Sequence, residues 1–156
     1  MADPIRTVTP EQIRKTRYGQ CFSGCLILTH DGQILLQQRP ENWRSFGGAL
    51  ATFGGRIERN ETPIEALKRE LSEELEASID DDDVTFLGAI TEAATNHRDL
   101  VYAYIWRDRS HTIGTCHEGT PVYYATANDA LAHPHIMDDV RWIIDQCRMR
   151  GFLPEE

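Results

Sequence analysis

The segment from Thr62 to Leu75 leaves the chain little freedom. Thr62-Pro63-Ile64-Glu65 supplies a capping hydroxyl, a proline at the first helical position and a glutamate three residues past the cap, a combination that starts a helix. Ile64, Leu67, Leu71 and Leu75 then recur at steps of three and four, so the helix carries one apolar stripe that must be buried. Glu70, Glu73 and Glu74 ride the same helix at i, i+3 and i+4, and at about 100° per residue they project on one side of it. In water such neighbours repel by roughly a few tenths of a kcal/mol per pair. The cluster is therefore either a solvated acidic face or a place where a hard divalent cation, which prefers oxygen ligands, reverses the sign of the interaction.

The rest of the pattern supplies what that stripe can pack against. Thr9-Pro10-Glu11-Gln12 repeats the capping pattern and predicts a short helix near residues 10–16. Residues 22–29 and 33–39 read as two strands turned by Asp31-Gly32. Between Trp43 and Gly55 four glycines point to loops and close backbone approach. Strands follow at 84–90, 100–106 and 122–126, and an amphipathic helix closes the pattern at 138–149. Strands outnumber helices and the last helix follows the last strand, which predicts an α+β fold with a mixed β-sheet. With no repeat, linker or composition break, residues 1–156 read as one domain, with 1–17 as a lead-in segment.

Charge excludes one class of partner. Of a net charge of −9, most comes from Arg56 to Asp83, where eleven acids face four bases, so phosphate-gripping, non-specific nucleic-acid binding is not expected. The Asp80–Asp83 run lacks the spaced oxygens and glycine of a calcium loop and reads as a solvated linker, with a basic partner as the competing role. No apolar stretch long enough for a membrane span or a secretion signal is visible, and no membrane association is expected. The four cysteines have no Cys-x-x-Cys spacing and are expected to be reduced, idle thiols in the cytoplasm.

From Gly55 the chain runs five residues to Glu61, seven more, and then Arg69-Glu70-Leu71-Ser72-Glu73-Glu74-Leu75. This resembles the Nudix box, G-x5-E-x7-R-E-U-x-E-E-x-G-U with U aliphatic, and Gly54 and the Gln38-Arg39-Pro40 strand end continue the likeness. The resemblance implies an α/β/α sandwich around a mixed sheet. It also implies hydrolysis of a nucleoside diphosphate linked to another moiety, with Mg²⁺ or Mn²⁺ on the box and a small phosphorylated molecule as substrate. A catalytically silent, nucleotide-binding or regulatory module of the same shape is the alternative, and a homodimer is left open. Two positions depart from the pattern: Glu76 and Ala77 stand where glycine and an aliphatic residue are usual. A glutamate in the left-handed conformation costs about 1–2 kcal/mol, which puts the helix end in question, while Ile79 is placed to supply the missing apolar contact.

On this basis Glu70 and Glu74 are expected as first metal ligands, Glu73 as a third ligand or the base that deprotonates water, and the Gly54 or Gly55 carbonyl as a further oxygen. Arg69 and Glu61 form an orienting pair, since arginine keeps its proton near neutral pH. Glu118, ahead of the last strand, is a candidate ligand or base, with Glu92 the runner-up; an ordinary exposed role competes for both. Arg39 offers a bidentate donor fork to phosphate. Phe53 and Tyr102, with Trp43 and Phe46, are candidates to stack on a base or else belong to the core. His97 and His117 read as solvated or as alternative bases. Residues near Glu92 to Thr95, where subgroups of the family differ, contain neither the proline typical of ADP-ribose enzymes nor the tyrosine typical of dinucleoside polyphosphate enzymes.

Overall fold

The computed structural model describes residues 4–43 and 46–154. Strands β1 (Ile5–Val8), β2 (Cys21–Leu28), β3 (Ile34–Gln38), β4 (Leu50–Ala51), β5 (Phe53–Arg56), β6 (Val84–Glu92), β7 (Leu100–Arg107) and β8 (Thr120–Tyr124) form one mixed sheet. Its main order is β1-β6-β7-β2-β3-β4, with β5 added to β2 and β8 to β3, and the only parallel pairing of named strands is β2 with β7. Helices α1 (Pro10–Lys15), α2 (Pro63–Leu75), α3 (Ala127–Leu131) and α4 (Asp138–Met149) complete an α+β sandwich.

Alternation along the central strands feeds two cores. Leu26, Leu28, Ala103 and Ile105 pack with Val140, Ile143 and Ile144 of α4, while Cys25, Ile27, Tyr104 and Trp106 pack with Leu67, Leu71 and Leu75 of α2. Both capping boxes form, at Thr9 and at Thr62. Along the α2 stripe Leu67 and Leu71 are fully buried and Ile64 partly so.

One edge of β2 is shared, and this opens the molecule. Ile27 and Leu28 pair with β3, whereas Phe22 to Cys25 pair with β5. Beyond that point β3 turns to β4 at Gln37 and Gln38. The two strands part, and a cavity of about 460 Å³ lies in the split.

Three elements differ from the sequence pattern. Gly54 and Gly55 lie in a strand, β5, where glycine content predicted loop. A Cβ on Gly54 would stand 2.0 Å from the Ser23 carbonyl oxygen, so β5 can pair this closely with β2 only through glycine. The lead-in segment contributes an edge strand, β1, paired with β6 from Ile5↔Glu92 to Val8↔Ala89; four residues are too few for alternation to show. Helix α3 is a five-residue turn capped by Thr126, too short to carry a periodic signal.

Glu76 does occupy the left-handed position, at φ 55° and ψ 27°. Its N–H reaches the Leu71 and Ser72 carbonyls, and Ala77 and Ile79 are both buried behind it. Helix α2 thus ends where the family pattern places its glycine, without one.

Candidate active site

Helix α2 lays its acidic side along β5. A Cβ on Gly55 would come within 2.5 Å of the Glu70 carboxyl carbon, so the missing side chain is what admits that carboxylate against the strand. Beside it, the Gly54 N–H donates to Glu74 Oε1 at 3.2 Å. Glu74 is almost wholly buried, and its Oε2 has no protein partner. Burial, and then the nearby Glu118 carboxylate, push the Glu74 carboxyl up to about 9.

Arg69 holds the entrance to this group. Its Nε and Nη2 donate to the two Glu61 oxygens at 2.7 and 3.0 Å, its Nη1 to Glu70 Oε1 at 2.8 Å, and its Nη2 also to the Arg56 carbonyl at 3.0 Å. The Arg69 fork and the Glu58 N–H hold the Glu61 carboxyl below its usual range. These bonds account for an orienting pair and leave neither side chain free to react. Glu73, more exposed, lies 3.5 Å from the same guanidinium.

Gly54, Gly55 and Glu118 line the cavity at this end. Gln37 lines it as well; the side chain is buried, its Nε2 donates to the Thr52 carbonyl at 2.8 Å, and its Oε1 has no partner. Elsewhere along the wall stand Glu92, Asp139, Arg39, Trp43 and Phe46. Glu92 is buried, and desolvation, then Asp139 and Asp138 at the start of α4, raise its carboxyl above the ordinary range while Arg39 opposes the shift. The Arg39 guanidinium lies 5.1 Å from the centre of the Trp43 ring.

The sequence candidates therefore divide. Gly54, Gly55, Glu70, Glu74 and Glu118 come together, with Glu73 at the margin and Arg69 and Glu61 behind. Glu92 and Arg39 also reach the cavity, but the charged groups around Glu92 are Asp138, Asp139 and Arg39 rather than the carboxylates of α2. Phe53 and Tyr102 are not brought to it. Phe53 is fully buried in the α2-side core, and Tyr102 packs on that same side of the sheet, 6.1 Å from the Phe86 ring. Strand alternation puts Val101, not Tyr102, on the cavity wall. His97 Nδ1 is hydrogen-bonded to Thr91 and His117 to Glu76.

Sequence reasoning missed Asp139 and Gln37. An acid in the first turn of a helix is ordinary, and a glutamine late in a strand carries no signal of its own. The Asp80–Asp83 run folds into a single tight turn whose Asp81 and Asp83 are paired with Lys68 and Arg109.

The donor set suits a hard cation. Glu74 has Glu118 close by and Glu70 on the same helix, one buried oxygen lacks a partner, and no sulfur or imidazole is among the candidate ligands. Among the described residues, no three acidic, histidine or cysteine side chains are already gathered as a ligand sphere. Glu70 stays on Arg69 and Glu73 stays outside, so closing the set requires those two to turn inward.

Residues 22–143 match the NUDIX domain, and this chain belongs to that family. Over 50 residues it is 46% identical to an 8-oxo-dGTP diphosphatase of Haemophilus influenzae, a stretch amounting to 32% of this chain and 36% of that protein. The fold is also that of a mutator MutT protein from Bacillus halodurans, with a TM-score of 0.61 and 21% identity over 81% of this chain and 80% of the other. It is likewise similar to the NUDIX domain of Shewanella oneidensis NrtR, solved with ADP ribose, with a TM-score of 0.67 and 17% identity over 92% and 94% of the two chains.

Proposed function

We propose that this chain is a pyrophosphohydrolase that cleaves a nucleoside diphosphate linked to another moiety, using Mg²⁺ or Mn²⁺. The observation that carries this reading is Glu74: a buried carboxylate with an unpartnered oxygen, behind the Gly54, Gly55 and Glu118 wall of a cavity large enough for a nucleotide. Such a group is costly to keep in a protein unless something bound there satisfies it.

Glu70, Glu74 and Glu118 would hold the cation, with Glu73 and the Gly54 carbonyl completing the set. When bound, it supplies neutralisation of the pyrophosphate oxygens and a lowered pKa for an attacking water. The chain's own groups do the rest. Arg69, clamped by Glu61, fixes the direction of Glu70. Glu118, at the cavity wall against Glu74, takes the proton of the attacking water. Arg39 offers its fork to phosphate. Trp43 and Phe46 flank the group beyond the phosphates, and Glu92 with Asp139 presents oxygens to its polar edge.

The names of two relatives agree with that substrate class. 8-oxo-dGTP is a nucleoside diphosphate linked to phosphate, and ADP ribose is one linked to a sugar. We assign the activity to a single domain working in the cytoplasm; its four cysteines are free, and among the described residues no helix is long and apolar enough to cross a membrane. A panel of nucleoside triphosphates and nucleotide sugars, assayed for phosphate or pyrophosphate release with each metal, tests the reading. Tight binding without release would instead support a silent nucleotide-binding module.

A further inference from the structure

Glu76 sits where its φ of 55° strains any residue but glycine, and this chain keeps a glutamate there. The structure shows what the side chain touches. The loop between β7 and β8 returns along the end of α2, with the Gly114 N–H on the Leu75 carbonyl at 2.8 Å and the His117 N–H on the Glu74 carbonyl at 2.7 Å. Gly114 passes so close that a Cβ on it would stand 3.0 Å from Glu76 Oε1. Glu76 Oε2 then accepts a hydrogen bond from His117 Nε2 at 2.6 Å. The next residue is Glu118, on the cavity wall and close to Glu74. Past it the chain turns through Gly119, at φ 62°, against the Gln38 carbonyl of β3.

We infer that Glu76 is a positioning residue: through His117 it fastens the loop to the end of α2 and so sets Glu118 against Glu74. The backbone bonds of Gly114 and His117 guide the loop, and any residues could make them. The Glu76–His117 bond is the side-chain contact that fixes the residue next to Glu118, and it rests on a glutamate where the family pattern has glycine. The assignment of Glu118 to the reaction rests on the function proposed above; the fastening of the loop does not.

Two substitutions separate this role from a structural one. Glu76→Gly removes the fastening and also the left-handed strain, so the melting temperature should hold or rise. Glu76→Gln keeps both the strain and an acceptor for His117. In metal-free protein, exchange of the backbone amide at position 117 should quicken at least about tenfold in Glu76→Gly and in His117→Ala, and stay near wild type in Glu76→Gln. On a substrate the wild type cleaves, Glu76→Gly should lower kcat at least about tenfold with KM within about twofold, because misplacing a catalytic group by an ångström can cost about a hundredfold. Glu76→Gln should restore kcat, and the double variant Glu76→Gly/His117→Ala should be no worse than either single change. Unchanged exchange in Glu76→Gly overturns the fastening, and wild-type kcat in that variant overturns the positioning role. Equal losses of kcat and melting temperature in Glu76→Gly and Glu76→Gln would make Glu76 merely structural. A wild type that neither binds Mn²⁺ nor cleaves any substrate defeats the proposed function, while amide exchange still reads the fastening by itself.

Discussion

Glu74 concentrates the conflict between stability and function in one side chain. A charge there is opposed by burial, by Glu118 and by Glu70. Glu74→Gln therefore should not lower the melting temperature of the metal-free protein, yet it should cut turnover at least about a hundredfold, the scale of losing one electrostatic stabiliser. Glu70→Gln should cost activity similarly, whereas Glu76→Gln should cost little. Calorimetry and steady-state kinetics on the same preparations check the pairing. Glu92 makes a separate prediction about pH. Its carboxyl is raised in the folded protein, so between the unfolded value, 4.5, and about 8 the folded state holds a proton that the unfolded state has lost. The stability Glu92 contributes is full below that window and is lost as pH rises through it. Glu92→Gln should flatten the decline in melting temperature between pH 5 and about 8, and an equal decline in both proteins would contradict the assignment.

At the scale of elements, the junction of α2 and β5 makes the site, and its two glycines should fail differently. In Gly54→Ala the new methyl meets the Ser23 backbone at 2.0 Å and φ is 145°, so the strand itself must move. The expected loss is about 3 kcal/mol or more, read by denaturant unfolding. In Gly55→Ala the obstacle is the end of the Glu70 side chain, which can swing away. Stability should change by less than about 1 kcal/mol while activity falls about a hundredfold. Leu71→Ala, in the fully buried α2 stripe, should cost about 2–5 kcal/mol. Much of this junction is legible in sequence, because caps, stripe and glycines each follow from local chemistry. The Thr62 cap, the α2 span and the Asp31-Gly32 turn are found where spacing puts them. The aromatic candidates were not legible. Phe53 and Tyr102 sit on strands, where the face each takes is decided by the pairing of β5 and β7 with strands remote in sequence, while Trp43 and Phe46 stand in the loop before β4.

Over the whole molecule, the cavity exists because β2 divides its edge between β3 and β5. That division depends on long-range register, which composition and periodicity do not carry. It brings Asp139, at the start of α4, to the same cavity as Glu118 from the β7–β8 loop, a meeting no local motif announces. Both cores close around apolar residues on either face of the sheet, so the fold does not need the cation. Added Mg²⁺ or Mn²⁺ should still stabilise by linkage, about 2.7 kcal/mol at a hundred times its dissociation constant. A melting temperature indifferent to both ions, with or without a non-cleavable nucleotide, would argue against a metal site on α2.

In the proposed function the carboxylates of α2 hold the ion for hydrolysis of a pyrophosphate. Its most direct measurement is phosphate and pyrophosphate release from the nucleotide panel by wild type and Glu70→Gln at equal concentration, with and without Mn²⁺. Release is expected from the wild type only when the ion is present, at a rate at least about a hundredfold lower for the variant. Release that is unchanged in Glu70→Gln, or that persists at full rate in a chelator, would contradict it.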